Sequence, residues 1–216
     1  MRIACVGMFL TMLLATATTA VAQTGKHLAI GGGISFTSYA DQDFKTKNPG
    51  FTFMYRLNLK PSAADGWYWG AKGDAGWSKR ETTTDIGGAR TPLGKLQTTL
   101  AMAGVQRSLR RRPWQLGIAV VAGPSIHQFD VDHRARDAYA SRLGRDLASV
   151  DVKNTIAVRP EAQVNYDLGP WLGLQGQLSY LFDRPKAETT SGGVTTSTTW
   201  KTDHLAASVG LVVGIF

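Results

Sequence analysis

Apolar and polar residues alternate along most of the chain beyond residue 27. In residues 50–60 every second position is apolar or aromatic, and the members of this stripe are Phe51, Phe53, Tyr55, Leu57 and Leu59. Strict alternation is typical of a β-strand whose two faces meet different environments. The apolar face could therefore point into the core of a soluble protein or outward into lipid.

The same alternation predicts eight strands, at residues 27–39, 50–60, 67–78, 96–109, 114–125, 157–168, 171–182 and 204–216. The register of the fourth strand stays open, because apolar residues occur on both of its faces. Pro160 lies within the sixth strand. It predicts a local distortion there, since proline cannot donate a ladder hydrogen bond.

Short and long connections alternate between these strands. Short turns follow the second, fourth and sixth strands, whereas longer polar loops are predicted at residues 40–49, 79–93, 127–153 and 183–203. This arrangement is typical of an up-and-down meander of antiparallel strands. An even number of strands allows such a meander to close into a barrel.

The second face of the strands carries five charged residues at mid-strand, namely Arg56, Lys72, Asp74, Arg159 and Glu161. Unpaired charges would be costly in a dry ligand pocket, which argues against a soluble lipocalin-type barrel with its apolar face inside. An eight-stranded barrel has an interior that side chains can fill. We predict that the five residues form a lumenal charge network that plugs the barrel, with a narrow ion path as the alternative.

Aromatic residues on the apolar face concentrate near the strand ends, as in the two aromatic girdles of a transmembrane barrel. The predicted girdle residues are Phe51, Phe53, Trp67, Trp69, Trp77, Trp114, Tyr180 and Phe182. Each strand has roughly 10–13 residues, which meets the about 9–11 needed to cross a bilayer at a tilt. The sequence therefore predicts an all-β fold, an eight-stranded antiparallel up-and-down transmembrane β-barrel with its apolar face toward lipid.

The N-terminus has the features of a secretory signal peptide at residues 1–22, with Arg2, an apolar core and an Ala-x-Ala cleavage site ending at Ala22. The barrel domain is then expected at residues 23–216. The single cysteine, Cys5, lies in the signal, so the mature chain can form no disulfide. The formal net charge of +8 favours anionic neighbours. Export makes lipid phosphates or acidic glycans better candidates than nucleic acid.

The cleaved signal, the alternating segments, the "GGG" of the first strand and the final "SVGLVVGIF" together resemble the small outer-membrane β-barrel proteins of OmpA/OmpX type. The resemblance covers the mature chain. It implies a bacterial outer-membrane location and a structural or surface-interaction role without enzymatic activity. It also implies that Phe216 belongs to the signal read by the barrel-assembly machinery, although Gly210 and Gly214 stand where bulkier outward residues are usual.

The predicted loop after the fifth strand carries four arginines that could contact lipopolysaccharide phosphates: Arg134, Arg136, Arg142 and Arg145. Arginine pairs bidentately with phosphate. Apolar residues recur there at near-helical spacing, at Ala135, Tyr139, Leu143 and Leu147, which predicts a short amphipathic helix. A solvated loop balanced by Asp137 and Asp146 is the alternative interpretation.

Ser125, His127 and Asp130 raise the hypothesis of a lipid A-modifying enzyme. Ser125 and His127 share the face predicted to line the lumen, however, whereas such an enzyme needs its nucleophile toward the membrane. The other histidines make no metal-ligand spacing. The sequence therefore predicts neither a metal nor a cofactor, and no catalytic residue.

The function expected from the sequence is stabilisation of the outer membrane, or binding of lipopolysaccharide or other surfaces by the extracellular loops. The expected partners are outer-membrane lipids, lipopolysaccharide and the barrel-assembly machinery, and the chain is expected to be a monomer. Three alternatives remain: a narrow ion or small-solute channel, a lipid A-modifying enzyme, and a soluble periplasmic lipocalin-like binder.

Overall fold

The computed structural model describes residues 28–39, 43–45, 50–58, 66–169 and 171–214. The predicted signal peptide and Phe216, the predicted assembly signal, lie outside the described residues. None of the described helices is long and apolar enough to cross a membrane.

Within the described residues the chain forms twelve strands and one helix. In chain order they are β1 (Leu28–Tyr39), β2 (Phe44–Lys45), β3 (Gly50–Asn58), β4 (Gly66–Ile86), β5 (Ala89–Arg111), β6 (Trp114–Val131), α1 (His133–Leu143), β7 (Leu147–Val152), β8 (Thr155–Asp167), β9 (Leu172–Leu181), β10 (Lys186–Ser191), β11 (Val194–Thr199) and β12 (His204–Gly214).

Eight of these strands form a closed antiparallel ring, in the order β1, β3, β4, β5, β6, β8, β9, β12. The ring closes where β1 pairs with β12. At this seam Gly33 lies opposite Gly210, and a Cβ added to Gly33 would come within 2.5 Å of the Val209 carbonyl oxygen. Only residues without a side chain allow the two backbones to pack so closely. The predicted eight-stranded antiparallel barrel is confirmed.

The two faces of the ring have opposite polarity. Outward side chains are apolar and exposed, and Ile118, for example, has a relative exposure of 62%, whereas the inward Lys72 has 2%. The open register of the fourth predicted strand is resolved, because Leu100 and Met102 of β5 point inward while Val105 is 60% exposed. A surface of this kind is stable in hydrocarbon, and ring closure satisfies the backbone groups that lipid cannot.

The distortion predicted at Pro160 falls on one side of β8. Its ladder with β6 runs without a break past Pro160, which lies opposite Val120. The ladder with β9 begins only at Glu161, and beyond Pro160 the two chains meet again only in the bridge between Val158 and Phe182. The missing N–H of proline accounts for this interruption.

Two of the predicted long loops, at residues 79–93 and 183–203, are wrong, because hairpin strands continue through them. β4 and β5 extend as one hairpin to a turn at Gly87 and Gly88, whose φ angles are 60° and 81°. β10 and β11 form a second hairpin around Gly192 and Gly193, also at positive φ. Positive φ at both central residues is the geometry of a two-residue hairpin turn, and glycine adopts it without strain.

These extensions form what we call the extracellular cap. It consists of β2, the distal ends of β4, β5 and β6, the helix α1, and a three-stranded sheet in the order β11, β10, β7. The side of the barrel with the longer connections is the extracellular side in outer-membrane barrels. The cap has its own buried apolar core, formed by Phe44, Ile86, Leu93, Leu96, Ala135, Ala138, Leu147, Val150, Val152 and Ala187.

Candidate functional site: a plugged lumen and an extracellular cap

Four of the five charged residues predicted for the lumen meet at its centre. Lys72 forms a buried ion pair with Glu161, and Arg159 forms a buried ion pair with Asp74. A second contact, 3.3 Å between Arg159 Nη2 and Glu161 Oε2, joins the two pairs. The inward positions of β4 supply Lys72 and Asp74, and those of β8 supply the other two residues. Two cations and two carboxylates therefore balance one another inside the barrel.

Neutral amides fill the space around the ion pairs. Gln177 accepts a hydrogen bond from Lys72 Nζ at 3.0 Å and donates one to Glu161 Oε2 at 2.9 Å. Gln163 donates to Gln106 at 3.0 Å and accepts from Gln175 at 3.3 Å. The network thereby links four strands of the ring, β4, β5, β8 and β9, through side chains. We call these four charged residues and their glutamine partners the lumenal plug.

Arg56 lies apart from the lumenal plug, contrary to the sequence prediction. It is directly opposite Lys72 in the ladder of β3 and β4, but its electrostatic neighbours are Tyr68, Asp167 and Arg110. Arg110 and Asp167 form an ion pair of 3.1 Å near the periplasmic turns. Strand alternation placed Arg56 correctly on the lumenal face, but it does not give the direction of a long side chain along the barrel axis.

A second polar cluster lies at the extracellular end of the lumen. Ser125 Oγ lies 3.0 Å from His127 Nε2 and donates to Asp183 Oδ2 at 3.2 Å. His127 Nδ1 lies 3.2 Å from Thr98 Oγ1, which accepts a hydrogen bond from Arg80 Nη2. All five residues are buried. Asp130, the carboxylate suggested by the sequence, is exposed on the other face of β6, and Asp183 takes its place.

This cluster lacks the geometry of a hydrolytic triad. In a triad the nucleophile and the carboxylate contact opposite nitrogens of the imidazole. Here Ser125 and Asp183 both approach Nε2, at 3.0 and 3.4 Å. Because Ser125 donates its proton to Asp183, the imidazole does not act as its base. The side chains of His127 and Asp183 are also fully buried, which leaves no room for a substrate.

The helix predicted in the loop after the fifth predicted strand is present as α1, but it ends earlier than the apolar spacing predicted. Asp132 caps its first turn by accepting a hydrogen bond from the Arg134 amide at 2.9 Å, and Gly144 ends it at a φ of 61°. Ala135 and Ala138 are the buried residues of the helix. Leu147, which the helical spacing had included, belongs to β7 instead. The left-handed glycine explains the earlier end.

The four arginines of this region have different environments. Arg142 Nη1 donates to the Ile86 carbonyl at 3.1 Å and to Thr91 Oγ1 at 3.3 Å, so it fastens α1 to the β4–β5 hairpin. The stem of Arg145 lies against Gly192 in the β10–β11 turn. Arg134 and Arg136 are exposed. Arg142 therefore has a structural contact that the sequence did not suggest.

The predicted girdle residues lie on the outward face at two levels. Trp67, Trp69 and Trp114 lie near the periplasmic turns, and Phe51, Phe53, Trp77 and Phe182 lie toward the cap, all with exposed side chains. Tyr180 is half-buried, and its ring lies 4.7 Å from that of Phe182. The outward Arg107 lies over Trp67 and Trp69, at 4.9 and 5.5 Å from the ring centroids. Such a cation over aromatic faces is typical of the membrane–water interface.

Ion pairs at the surface of the cap tie its segments together. Lys153, which follows β7, pairs with Asp151 and with Glu188 of β10 at 3.1 Å. Hydrogen bonds donated to these two carboxylates raise the pKa of Lys153. Arg184 pairs with Asp203 at 2.9 Å, and this hydrogen bond raises the pKa of the guanidinium. Among the described residues, no group of three or more His, Cys, Asp or Glu could hold a metal ion.

The closed ring, the apolar outer face and the polar plug define a transmembrane β-barrel. The family model described as "Outer membrane protein beta-barrel domain" matches residues 7–149. The chain therefore belongs to this family, and it is a bacterial outer-membrane protein. The soluble lipocalin-like alternative is wrong, because the chain belongs to an outer-membrane family and the apolar face of its barrel points outward, away from the polar lumen.

Solved structures show the same fold. The outer membrane protein OprG from Pseudomonas aeruginosa is similar with a TM-score of 0.66 and 12% identity, over 89% of this chain and 97% of that chain. The outer membrane protein AlkL is similar with a TM-score of 0.56 and 17% identity, over 91% of this chain and 93% of that chain. A search of curated proteins found no match to this sequence.

Proposed function

We propose that this protein is a non-enzymatic, non-conducting barrel that holds a folded cap at the bacterial surface, where the cap contacts lipopolysaccharide and other surface molecules. The observation that carries this proposal is the lumenal plug beneath a cap with its own core. The Lys72 and Glu161 side chains are 1% and 0% exposed. A lumen filled in this way supports an anchoring role better than transport.

The buried and misaligned Ser125 cluster supports the non-enzymatic part of the proposal, because it offers a substrate neither access nor an activated nucleophile. Recognition by the barrel-assembly machinery through Phe216 and a monomeric state belong to the same proposal.

Lipopolysaccharide contact is supported at two heights above the membrane. Lys79 is exposed on the outward face two residues beyond the girdle residue Trp77. This position suits contact with phosphates at the membrane surface. Arg142 joins α1 to Ile86, which is nine residues beyond Trp77 in β4. For a strand tilted by about 45°, this separation places Ile86 roughly 20 Å above Trp77. Arg134 and Arg136 on α1 would therefore meet the saccharide of lipopolysaccharide.

Planar bilayer recordings test the closed lumen. We expect the purified protein to give no discrete conductance steps, because moving the buried ion pairs apart would leave charges unpaired in the lumen. The Asp74→Asn variant should be silent as well. Discrete openings of the native protein, with a conductance or ion selectivity that changes in Asp74→Asn, would instead support the channel alternative.

Limited digestion with proteinase K tests the attachment of the cap. Replacing Arg142 by glutamine removes two hydrogen bonds between α1 and the β4–β5 hairpin. We expect cleavage within residues 133–145 to become several-fold faster in membrane-embedded protein, while heat-modifiable migration of the barrel stays the same. Arg136→Gln, on the exposed side of the same helix, is the matched control. Equal cleavage rates in the two variants would show that Arg142 does not hold the helix.

A further inference from the structure

The cap contains a cleft that is separate from the lumenal plug and from the membrane surface. It lies between the distal part of β4 and the β10–β11 hairpin, beside the end of α1, and has a volume of about 600 Å³. Sites for small molecules usually have roughly 300–1,000 Å³. The cleft is therefore large enough for a ligand of one to a few sugar units.

The walls of the cleft are lined mainly by hydroxyl groups. Thr82, Thr83 and Thr84 of β4 form one wall, and Thr196 and Thr198 of β11 lie on the other. A threonine hydroxyl can both donate and accept a hydrogen bond. A wall of such groups is complementary to a ligand that itself carries many hydroxyls.

Two hydroxyls of this lining have no hydrogen-bond partner within the described part of the chain. They are Thr82 Oγ1 and Ser191 Oγ, and both atoms are buried. Thr82 as a whole is only 3% exposed. A buried hydroxyl without a partner costs free energy, so a ligand that draws either side chain toward the cleft and into a hydrogen bond would stabilise this site.

The charge of the cleft is positive. Arg145 and Lys201 line it, and neither forms an ion pair with any carboxylate that the structure describes. The one carboxylate of the lining, Asp43, is already paired with Arg90 at 3.0 Å. A ligand that neutralises Arg145 and Lys201 should therefore be an anion.

An aromatic wall completes the lining. Trp200 is held by edge contacts with Phe44 and Phe129, at ring-centroid distances of 5.8 and 5.3 Å. Its indole also lines the cleft, together with Tyr139. A fixed aromatic face packs against the C–H face of a sugar ring while hydroxyl groups bind the ring substituents.

We propose that this cleft binds an anionic saccharide, with Arg145 and Lys201 on its acidic groups and the threonine walls on its hydroxyls. The proposal rests on the surface-interaction role proposed above and gives that role a binding site and a ligand class. The acidic sugar could come from the core of lipopolysaccharide or from a free oligosaccharide. An extended peptide added to the open edge of β11 is the competing occupant.

Isothermal titration of the full-length protein in detergent micelles tests the proposal. The probes are oligogalacturonate, deacylated lipopolysaccharide core oligosaccharide, and the neutral sugar maltohexaose. We expect one or both acidic probes to bind, and maltohexaose to bind at least tenfold more weakly. Binding of the core oligosaccharide alone would assign the lipid-derived source, and binding of oligogalacturonate would assign a free acidic glycan.

Three double variants locate the binding. Arg145→Gln/Lys201→Gln should weaken the binding of the acidic probe at least tenfold. Thr196→Val/Thr198→Val keeps side-chain shape and strand propensity but removes two hydroxyls, and it should weaken binding several-fold. Arg111→Gln/Arg112→Gln removes the same charge at the periplasmic turn and should leave binding unchanged. Heat-modifiable migration confirms that each variant is folded.

Several results would overturn the proposal. The proposal fails if neither acidic probe binds, or if maltohexaose binds as tightly as the acidic probes. It also fails if Arg145→Gln/Lys201→Gln and Arg111→Gln/Arg112→Gln weaken the binding of the acidic probe equally. Binding of an acidic probe that is insensitive to Thr196→Val/Thr198→Val would show that the threonine walls do not hold the ligand, and would overturn the proposal as well. If one of these results is obtained and the bilayer recordings show no conductance, only the cleft proposal fails and the anchoring function stands. Discrete conductance would contradict the anchoring function, whatever the cleft binds.

Discussion

Replacing Glu161 by glutamine is expected to lower the free energy of unfolding of the barrel by about 3–5 kcal/mol. Glu161 contacts both Lys72 and Arg159. Glutamine has the same shape but no charge, so two buried cations would share the single remaining carboxylate of Asp74. The cost comes mainly from the uncompensated cation, because a charge that is desolvated without a partner is far less stable than one in water.

The measurement is urea-induced unfolding in lipid vesicles, followed by heat-modifiable migration on a detergent gel. Glu188→Gln is the control, because it makes the same substitution in the exposed ion pair with Lys153. Surface pairs contribute little to stability, so this variant should unfold at nearly the native urea concentration. If both variants unfolded together, the lumenal plug would not hold the barrel together.

Arginine in place of Val120 is expected to destabilise the barrel by roughly 2–4 kcal/mol, as for a charge on the lipid face near the bilayer midplane. Val120 is 52% exposed and lies midway along the transmembrane part of β6, between Trp114 and Ile126. In a soluble protein a valine this exposed would tolerate arginine. The expected loss therefore reports directly on the lipid around this face.

The control for this prediction is Val194→Arg. Val194 is 60% exposed at the start of β11 in the cap, where water surrounds it. The two valines differ little in exposure, so a difference in unfolding free energy between the variants would come from the surrounding medium. Equal stability of the two variants in lipid vesicles would contradict the assignment of the outer face to the membrane.

The lumenal plug and the cap are stabilised by different kinds of residues. The lumenal plug keeps a hydrophobic outer wall compatible with a polar interior, because each of its four charged residues has an opposite partner. The cap stands in water and therefore needs an apolar core of its own. Its helix, both hairpins and the three-stranded sheet contribute residues to that core. In the function proposed above, the barrel holds this cap as a binding surface above the membrane.

The sequence by itself determined the eight strands, the outward direction of their apolar faces and the girdle positions. Alternation with a period of two shows that the two faces of a strand meet different environments. The difference in polarity between the faces is greatest when one face meets lipid and the other a polar lumen. The inward position of Lys72, Asp74, Arg159 and Glu161 followed from the same rule. Their charges alone indicated that they should pair.

Only the tertiary structure decided the cap, the partners within the lumen and the cleft. Above the membrane both faces of a strand meet water or the cap core, so β4 continues to Ile86 without the alternation that marks it below. Lys72 and Glu161 are 89 residues apart, and Ser125 and Asp183 are 58 apart. Such contacts depend on ring closure and register, which place distant residues side by side. Local patterns carry no information about that placement, since each strand reports only on its own two faces.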